Sequence, residues 1–212
     1  MKAGRSVQPR LPEIRELREL SDLHDILRDG SAEGIRITEA LPDDMRNLTF
    51  SECELDHAVF SGNGRGCRFT DVIFRGCDFS NAVLDEASFC RCLFDRCRML
   101  GTSLIRASFR DVTVRDSVFD YANFSGSQWN TALLADSRFQ EAALAMCTLK
   151  QTGFQRCDLR RAELNDTKLA GLDVSDCEIG GIMVKPQDLT GLAVNRDQAV
   201  VFAALLGLKV TD

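Results

Sequence analysis

The sequence contains few of the residues that enzymes most often use for acid–base chemistry or for stacking on a ligand. Among 212 residues there are two histidines, one tryptophan and one tyrosine. His24 and His57 have no partner at a spacing typical of a catalytic pair, and no nucleotide-binding loop is present. These absences predict a protein that is not an enzyme and that uses no cofactor.

Long apolar runs and an excess of basic charge are also absent. No segment has the ~20 apolar residues of a membrane span, and the N-terminal residues lack the apolar core of a secretory signal. The formal net charge is −6, so nonspecific binding to nucleic acid or to an anionic membrane is not expected. Nine cysteines without an export signal favour a reducing compartment. We therefore expect a cytoplasmic protein that binds neither a membrane nor nucleic acid directly.

What the sequence has instead is an apolar residue at every fifth position. From Phe69 to Val194 all 26 such positions are apolar. Two residues before each of them stands a small residue, usually Ala, Cys, Ser or Thr. A period of five matches neither a helix nor a simple strand, but it fits a chain that turns a corner every five residues. The large residue then points inward, the small one fills the remaining space, and the other three face outward.

Eight of the nine cysteines occupy the small inward position, which explains their spacing without a metal site. Buried cysteine packs as a small apolar residue, whereas a zinc site needs Cys-x₂₋₄-Cys pairs that converge on one point. Only Cys90 is predicted to face outward. We therefore expect no bound metal and one accessible thiol. The inward cysteines are Cys53, Cys67, Cys77, Cys92, Cys97, Cys147, Cys157 and Cys177.

This pattern resembles that of the pentapeptide-repeat family, whose consensus is Ala-(Asp/Asn)-Leu-x-x. Residues 122–126 (Ala-Asn-Phe-Ser-Gly) and 157–161 (Cys-Asp-Leu-Arg-Arg) follow it. The resemblance covers about residues 48–194 and implies an all-β solenoid, a right-handed quadrilateral β-helix with four repeats in each of about seven coils. With a ladder spacing of ~4.8 Å, the rod would be about 35 Å long.

The N-terminal residues 1–47 lie outside the repeat and are expected to cover one end of it. Their apolar residues predict an amphipathic helix that is followed by a degenerate first coil. The apolar face of this helix consists of Leu11, Ile14, Leu17, Leu20, Leu23 and Leu27. We expect the helix to pack over the first coil or against the side of the rod on which Ile73, Leu93 and Leu133 face outward.

The C-terminal residues 195–212 predict a capping helix over 196–206. Asn195 and Gln198 form a capping-box pair at its start, and Gly207 follows its end. The helix is apolar all round, so one face can cover the last coil while another needs a partner. The segment also resembles that of the MfpA and Qnr proteins, a subgroup that dimerises through it, which implies a homodimer. The cap and dimer residues would be Val200, Val201, Phe202, Leu205, Leu206 and Leu208.

Outward charge is distributed unevenly among the four sides of the rod. The side around Phe69 and Phe89 totals +3, and the side around Leu84 and Leu104 totals −2. We take the second as the candidate partner-binding surface, because acidic residues flank a weakly charged strip there. Its candidate residues are Asp85, Glu86, Ile105, Ala145, Met146, Glu163 and Asp166.

Two functions are compatible with these observations. The first is that of a non-catalytic protein-interaction scaffold whose partner the sequence does not identify. The second is implied by the resemblance to MfpA and Qnr: a mimic of duplex DNA that binds the type II topoisomerases DNA gyrase or topoisomerase IV and modulates quinolone sensitivity. The repeat body, residues 48–188, has 20 acidic and 16 basic residues. A DNA duplex of that length carries far more net negative charge, so the scaffold is favoured.

Overall fold

The computed structural model describes residues 7–19 and 29–211, and most of them form a parallel solenoid of about six turns. Ten strands wind into one continuous sheet in which all the pairings are parallel. They are β1 Arg18–Glu19, β2 Ser31–Glu33, β3 Ile35–Ile37, β4 Thr49–Ser51, β5 Glu54–Asp56, β6 Arg68–Arg75, β7 Ser88–Asp95, β8 Ser108–Arg115, β9 Gln128–Ala135 and β10 Thr148–Gln155. A 3₁₀ helix, Pro186–Leu189, and helix α1, Arg196–Leu205, follow.

The coil length is twenty residues through the body and shorter at the N-terminal end. Phe69 and Phe89 lie in register on neighbouring strands, as four pentapeptides per coil require. Toward the N-terminus Thr49 pairs with Arg68, nineteen residues later, and Ser31 pairs with Thr49, eighteen residues later. The sequence predicts about seven coils, and the structure has about six turns.

A one-residue break in the repeat falls at a corner that requires glycine. A Cβ on Gly62 would lie 2.1 Å from the carbonyl oxygen of Asp43, so only glycine allows the two main chains to approach so closely. Gly66 follows with φ 71°, in the left-handed region. Phe60 and Phe69 are nine residues apart, so this corner is one residue shorter than two pentapeptides would make it.

Stacked aromatic rings and small side chains fill the interior. Along one side of the core the ring centroids are 5.0 Å apart for Phe50–Phe69, 5.1 Å for Phe69–Phe89, 5.1 Å for Phe89–Phe109 and 3.8 Å for Phe109–Trp129. The indole Nε1 of Trp129 donates to Ser127 Oγ at 2.8 Å, so its one polar atom is paired within the core. The eight cysteines predicted inward are buried, and Cys90 is partly exposed. The five-residue pattern therefore identified both interior columns.

The amphipathic helix predicted in the N-terminal region is wrong over residues 11–19. Residues 7–17 have no regular secondary structure and 18–19 form β1, which pairs with β3. Pro9 and Pro12 disfavour helical geometry in Gln8 and Leu11, and main-chain hydrogen bonds of Glu13 and Arg18 with the rod accompany the extended backbone of the residues that follow. The leucines at 20, 23 and 27 of the predicted helix lie outside the described residues.

The extended segment 7–19, the N-terminal strap, runs along the rod from one end to the other. Its Val7 lies beside Gly153 and Leu133, near the C-terminal end of the sheet. The main-chain N–H of Glu13 then donates to Asp71 Oδ1 at 3.1 Å, and Arg18 N donates to Gly34 O at 2.9 Å. The strap therefore reaches the side that Leu133 occupies, which is one of the two locations expected for this region.

Helix α1 covers the C-terminal end of the rod. The predicted capping box is present: Asn195 and Gln198 exchange side-chain to main-chain hydrogen bonds, each 2.9 Å long. The amide of Gln198 also donates to Val174 O at 2.8 Å and to Cys177 O at 2.7 Å, and Phe202 is buried against the core. Among the described helices none is long and apolar enough to span a membrane.

The sheet ends at β10, because the following coil separates from it on two sides. All residues of both coils are described, and no main-chain hydrogen bond joins residues 148–156 to residues 168–176. On the other sides the same coils remain paired, as Met146 N to Asn165 O at 2.9 Å shows. β10 is therefore an open edge strand within the rod, and Val7 of the strap lies at the opening.

Candidate interaction surfaces

The cysteines and the described histidine make structural contacts. The thiol of Cys67 donates to the carbonyl oxygen of Met45 at 2.8 Å, and burial raises its pKa to about 11. His57 lies at a corner, where its Nδ1 is 2.7 Å from Asp56 Oδ1. Over residues 7–19 and 29–211 no three His, Cys, Asp or Glu side chains converge as metal ligands would.

The outward residues form four sides, each named here after one inward residue: the Phe69, Phe74, Phe79 and Leu84 sides. Each side comprises the two residues that flank its inward residue, the corner residue that follows them, and the equivalent residues of the other coils. The parallel register places equivalent residues directly above one another, about 4.8 Å apart. Side chains from neighbouring coils can therefore pair along the rod.

The residues predicted to bind a partner lie on the Leu84 side, and each of its four acids already accepts a hydrogen bond. Glu86 accepts hydrogen bonds from Arg106 at 2.6 Å and from Arg65 at 2.7 Å. The Arg106 contact, with Arg65 second, lowers the pKa of Glu86. Asp85 accepts from Ser103 Oγ at 2.5 Å and from the main-chain N–H of Ile105 at 3.1 Å.

The other half of that surface is mixed in character. Asp166 is paired with Lys185 at 2.5 Å, and Glu163 accepts from Asn165 at 3.1 Å. Ala145 is buried, whereas the side chain of Met146 is 62% exposed. The seven predicted residues thus share one side of the rod, and they make a patchwork and not a continuous negative strip.

The Phe74 side carries a ladder of alternating charge. Glu54 accepts from Arg36 at 3.0 Å and from Arg75 at 3.1 Å. Asp95 in turn contacts Arg75 at 3.2 Å and Arg115 at 3.0 Å, and its side chain is only 4% exposed. The hydrogen bond from Arg115 is the main reason why the pKa of Asp95 is lowered. This ladder joins successive coils along the rod.

Pairing of this kind accounts for most of the charge on the rod. At least ten of the twenty acidic residues between 48 and 188 have an arginine or lysine nitrogen within 4.0 Å, and twelve of the sixteen basic residues have a carboxylate oxygen within that distance. Most of these contacts link one coil to the next. The surface potential is therefore broken into short segments of opposite sign.

The Phe69 side is the exception. The four basic residues of that body without a carboxylate within 4.0 Å among the described residues all lie on it: Arg68, Arg110, Lys150 and Lys168. All four are exposed. The sequence shows the net +3 of this side, but it does not show that charges on the other sides are cancelled by pairing.

Helix α1 presents an exposed apolar surface at the C-terminal end. Val200, Val201, Leu205, Leu206 and Leu208 are each between 41% and 61% exposed. Phe202, predicted with them as a cap or dimer residue, is buried and belongs to the cap. A shallow groove lies between α1 and the last coil, lined by Leu189, Leu192, Val194, Ala199, Phe202, Ala203, Leu206 and Leu208.

Comparison with known proteins was made at the level of families, curated sequences and solved structures. The family model described as a pentapeptide repeat region matches residues 67–144, and the model of pentapeptide repeats (8 copies) matches residues 44–84. None of the curated proteins matches the chain.

Among solved structures, full-length QnrB1, a plasmid-mediated fluoroquinolone resistance protein, has a TM-score of 0.43 and 16% identity over 84% of this chain and 100% of its own. HetL, a pentapeptide repeat protein involved in heterocyst differentiation regulation from the cyanobacterium Nostoc sp. strain PCC 7120, has a TM-score of 0.38 and 14% identity over 83% and 94%. A pentapeptide repeat protein of the Arabidopsis thaliana thylakoid lumen has a TM-score of 0.34 and 19% identity over 61% and 72%.

The matched residues 44–144 are the same coils whose inward columns and twenty-residue register are described above. The two family models and the observed solenoid agree, and residues 44–144 carry the repeats of the pentapeptide-repeat family.

Proposed function

We propose that this protein is a non-catalytic scaffold that binds other proteins through the outside of the rod and forms a homodimer through helix α1. The exposed apolar surface of α1 is the observation that carries the proposal. Five large apolar side chains are exposed within residues 200–208, and a contiguous exposed apolar surface often marks a contact with another protein. In a two-fold symmetric dimer the same surface of a second copy would pack against it and bury these side chains.

The rod itself supports a binding role and not a catalytic one. Its interior is filled by side chains, so it encloses no large site for a substrate. The buried thiols and the ion-paired carboxylates are engaged in packing or in charge contacts, as Cys67 and Asp95 illustrate. What remains available is an extended outer surface of fixed geometry, which is how solenoid proteins usually bind partners.

Photo-cross-linking in the cells that contain the protein tests the scaffold. A photoreactive amino acid is placed at one exposed position on each side: Arg110, Arg115, Arg138 and Met183. We expect at least one position to give a protein adduct of defined mass other than the homodimer. Adducts from none of the four sides would contradict the proposal.

Mimicry of DNA by an MfpA- or Qnr-like protein is the second candidate. It is favoured by the apolar C-terminal helix, through which that subgroup is expected to dimerise, and by the acidic net charge. The paired acids of the Leu84 side argue against it, because a DNA mimic presents unneutralised negative charge. The test is gyrase supercoiling with and without ciprofloxacin. If about 10 µM protein neither inhibits supercoiling nor protects gyrase from ciprofloxacin, this candidate is eliminated.

A further inference from the structure

We propose that the Phe69 side is a docking surface for an acidic helix of another protein. This inference rests on the proposed scaffold function and gives it a side and a partner chemistry. The starting observation is that pairing neutralises twelve of the sixteen basic residues of the body, while the other four share this side. A random distribution over four sides would not collect them in one place.

The two outward columns of the Phe69 side contain no acidic residue between positions 49 and 170. Hydroxyl, amide and cationic groups occupy them almost entirely, and they line a shallow cleft over Phe89, Phe109 and Trp129. From Arg68 onward the first column is Arg68, Ser88, Ser108, Gln128, Thr148 and Lys168, and the second is Thr70, Cys90, Arg110, Asn130, Lys150 and Ala170.

These groups suit a partner that brings negative charge and hydrogen-bonding groups. Four exposed cations, none with a carboxylate within 4.0 Å among the described residues, can each pair with an anionic group of a partner. Exposed salt bridges contribute little one at a time, so the binding would depend on several contacts made together. The surrounding hydroxyl and amide groups can donate to or accept from the polar side chains between the acids.

The spacing of the cations favours a helix. Arg110 and Lys150 are two coils apart in the same column, or about 9.6 Å along the rod. Residues seven apart on one face of an α-helix are separated by about 10.5 Å. The same face of an extended strand repeats about every 6.8 Å, which does not coincide with two coils. A helix lying along the rod with an acid at every seventh position therefore meets both cations.

Nucleic acid is the less favoured occupant. A protein that binds DNA or RNA by its backbone needs a basic surface, and the net charge here is −6. The corner next to the columns also carries Asp111, which accepts from the main-chain N–H of Arg10 at 3.3 Å. The closely spaced phosphates of a nucleic acid would bring negative charge next to Asp111. Acidic side chains seven residues apart on a helix can contact the cations without lying beside this carboxylate.

The experiment uses fluorescence anisotropy with the full-length purified protein and two labelled peptides. One helical peptide of about 21 residues carries Glu at every seventh position of one face, and the other has the same composition with its Glu residues spread around the helix. At about 50 mM salt we expect the first peptide to bind at least about fivefold more tightly. Binding should weaken as salt is raised.

Three double variants distinguish binding at the Phe69 side from an effect of the net charge of the whole protein. In Arg110→Glu/Lys150→Glu we expect about tenfold weaker binding. The control Arg98→Glu/Arg161→Glu makes the same charge change around the Phe79 side, at residues paired with Asp78 and Glu141, and should change binding less than about twofold. Arg110→Gln/Lys150→Gln removes the charges without adding acids, and its melting curve verifies folding.

Several results would overturn the proposal. These are no binding of the first peptide at about 100 µM, equal binding of both peptides, or an equal loss in the two charge-reversed variants. Equal or tighter binding of a single-stranded DNA of the same charge at this side would replace the protein partner by a nucleic acid. The scaffold function is tested separately, because cross-links from the other three sides would support it even if this side bound nothing.

Discussion

The corner residue of each repeat adopts a backbone conformation that residues other than glycine rarely take. Twenty non-glycine residues have φ between 47° and 61°, and most of them stand two positions after a large inward residue. Asparagine and aspartate tolerate this region, but a β-branched residue does not. The pentapeptide geometry therefore places local strain at regular positions along the chain.

Thr131 gives the clearest test of this strain, because it is β-branched and has φ 61°. We expect Thr131→Gly to raise the free energy of unfolding by about 1 kcal/mol, since glycine adopts this conformation without a clash. Thr113→Gly is the control. It lies within β8, where glycine should lower the free energy of unfolding by about 1 kcal/mol. Urea denaturation measures both, and a loss of stability in Thr131→Gly would contradict the account.

Asp95 tests whether the buried part of the charge ladder holds coils together. We expect Asp95→Asn to lower the free energy of unfolding at pH 7 by about 2 kcal/mol, because three arginines lose a buried carboxylate. Asp136→Asn is the matched control. The side chain of Asp136 is 41% exposed, against 4% for Asp95, so loss of its bidentate contact with Arg156 should cost less than about 1 kcal/mol.

The contribution of Asp95 to the free energy of unfolding should depend on pH in a defined direction. The pKa of Asp95 is lowered in the folded state, chiefly by Arg115. Its contribution is therefore fully present above the unfolded value of about 3.9 and is lost as the pH falls through the folded pKa. The difference between wild type and Asp95→Asn should shrink below about pH 4. A difference that stayed constant down to about pH 2 would show that charge on Asp95 is not the cause.

The elements of this protein differ in how far the sequence predicts them. The coils are predicted by a period of five residues, which matches neither a helix nor a simple strand. Helix α1 is predicted by its capping box and by Gly207. The N-terminal strap does not follow, because its leucines match helical spacing while Pro9 and Pro12 impose extended backbone. The local sequence therefore supports both a helix and an extended segment, and the contacts of Glu13 and Arg18 with the rod select the extended one.

The open edge of β10 could not be predicted either, because the repeat continues through it unchanged. Elsewhere the amide of the large inward residue donates to the next coil, as Leu84 N does to Ser103 O at 2.7 Å. The equivalent amides of Leu149 and Phe154 have no such acceptor in the described chain. The pattern of inward residues therefore does not predict whether two neighbouring coils are joined by main-chain hydrogen bonds.

Hydrogen exchange tests this edge. We expect the amides of Leu149 and Phe154 to exchange at least about tenfold faster than those of their neighbours on β9, Trp129 and Leu134. Trp129 and Leu134 serve as the internal control, since they occupy the same inward positions one coil earlier. Equal protection of the four amides would mean that the ladder continues past β10.

At the scale of the whole molecule, the sequence predicts the architecture better than it predicts the interaction surfaces. The Leu84 side was selected by counting acids, and the count misses that Arg65 and Arg106 neutralise Glu86 from the coils on either side. These partners are twenty or more residues away in sequence and come together only when the coil register is known. The apolar surface of α1 is different, because its residues are contiguous and could be identified directly.

The dimer formed through α1 is the central claim, and sedimentation equilibrium of the full-length protein tests it most directly. We predict twice the mass of the 23.5 kDa chain for wild type. The variant Val201→Asp/Leu205→Asp should sediment as a folded monomer, because both side chains are exposed and lie outside the cap. Tyr121→Asp/Met146→Asp makes the same charge change at exposed positions on the rod and should remain dimeric. A monomeric wild type, or a dimer that the α1 variant leaves intact, would contradict the account.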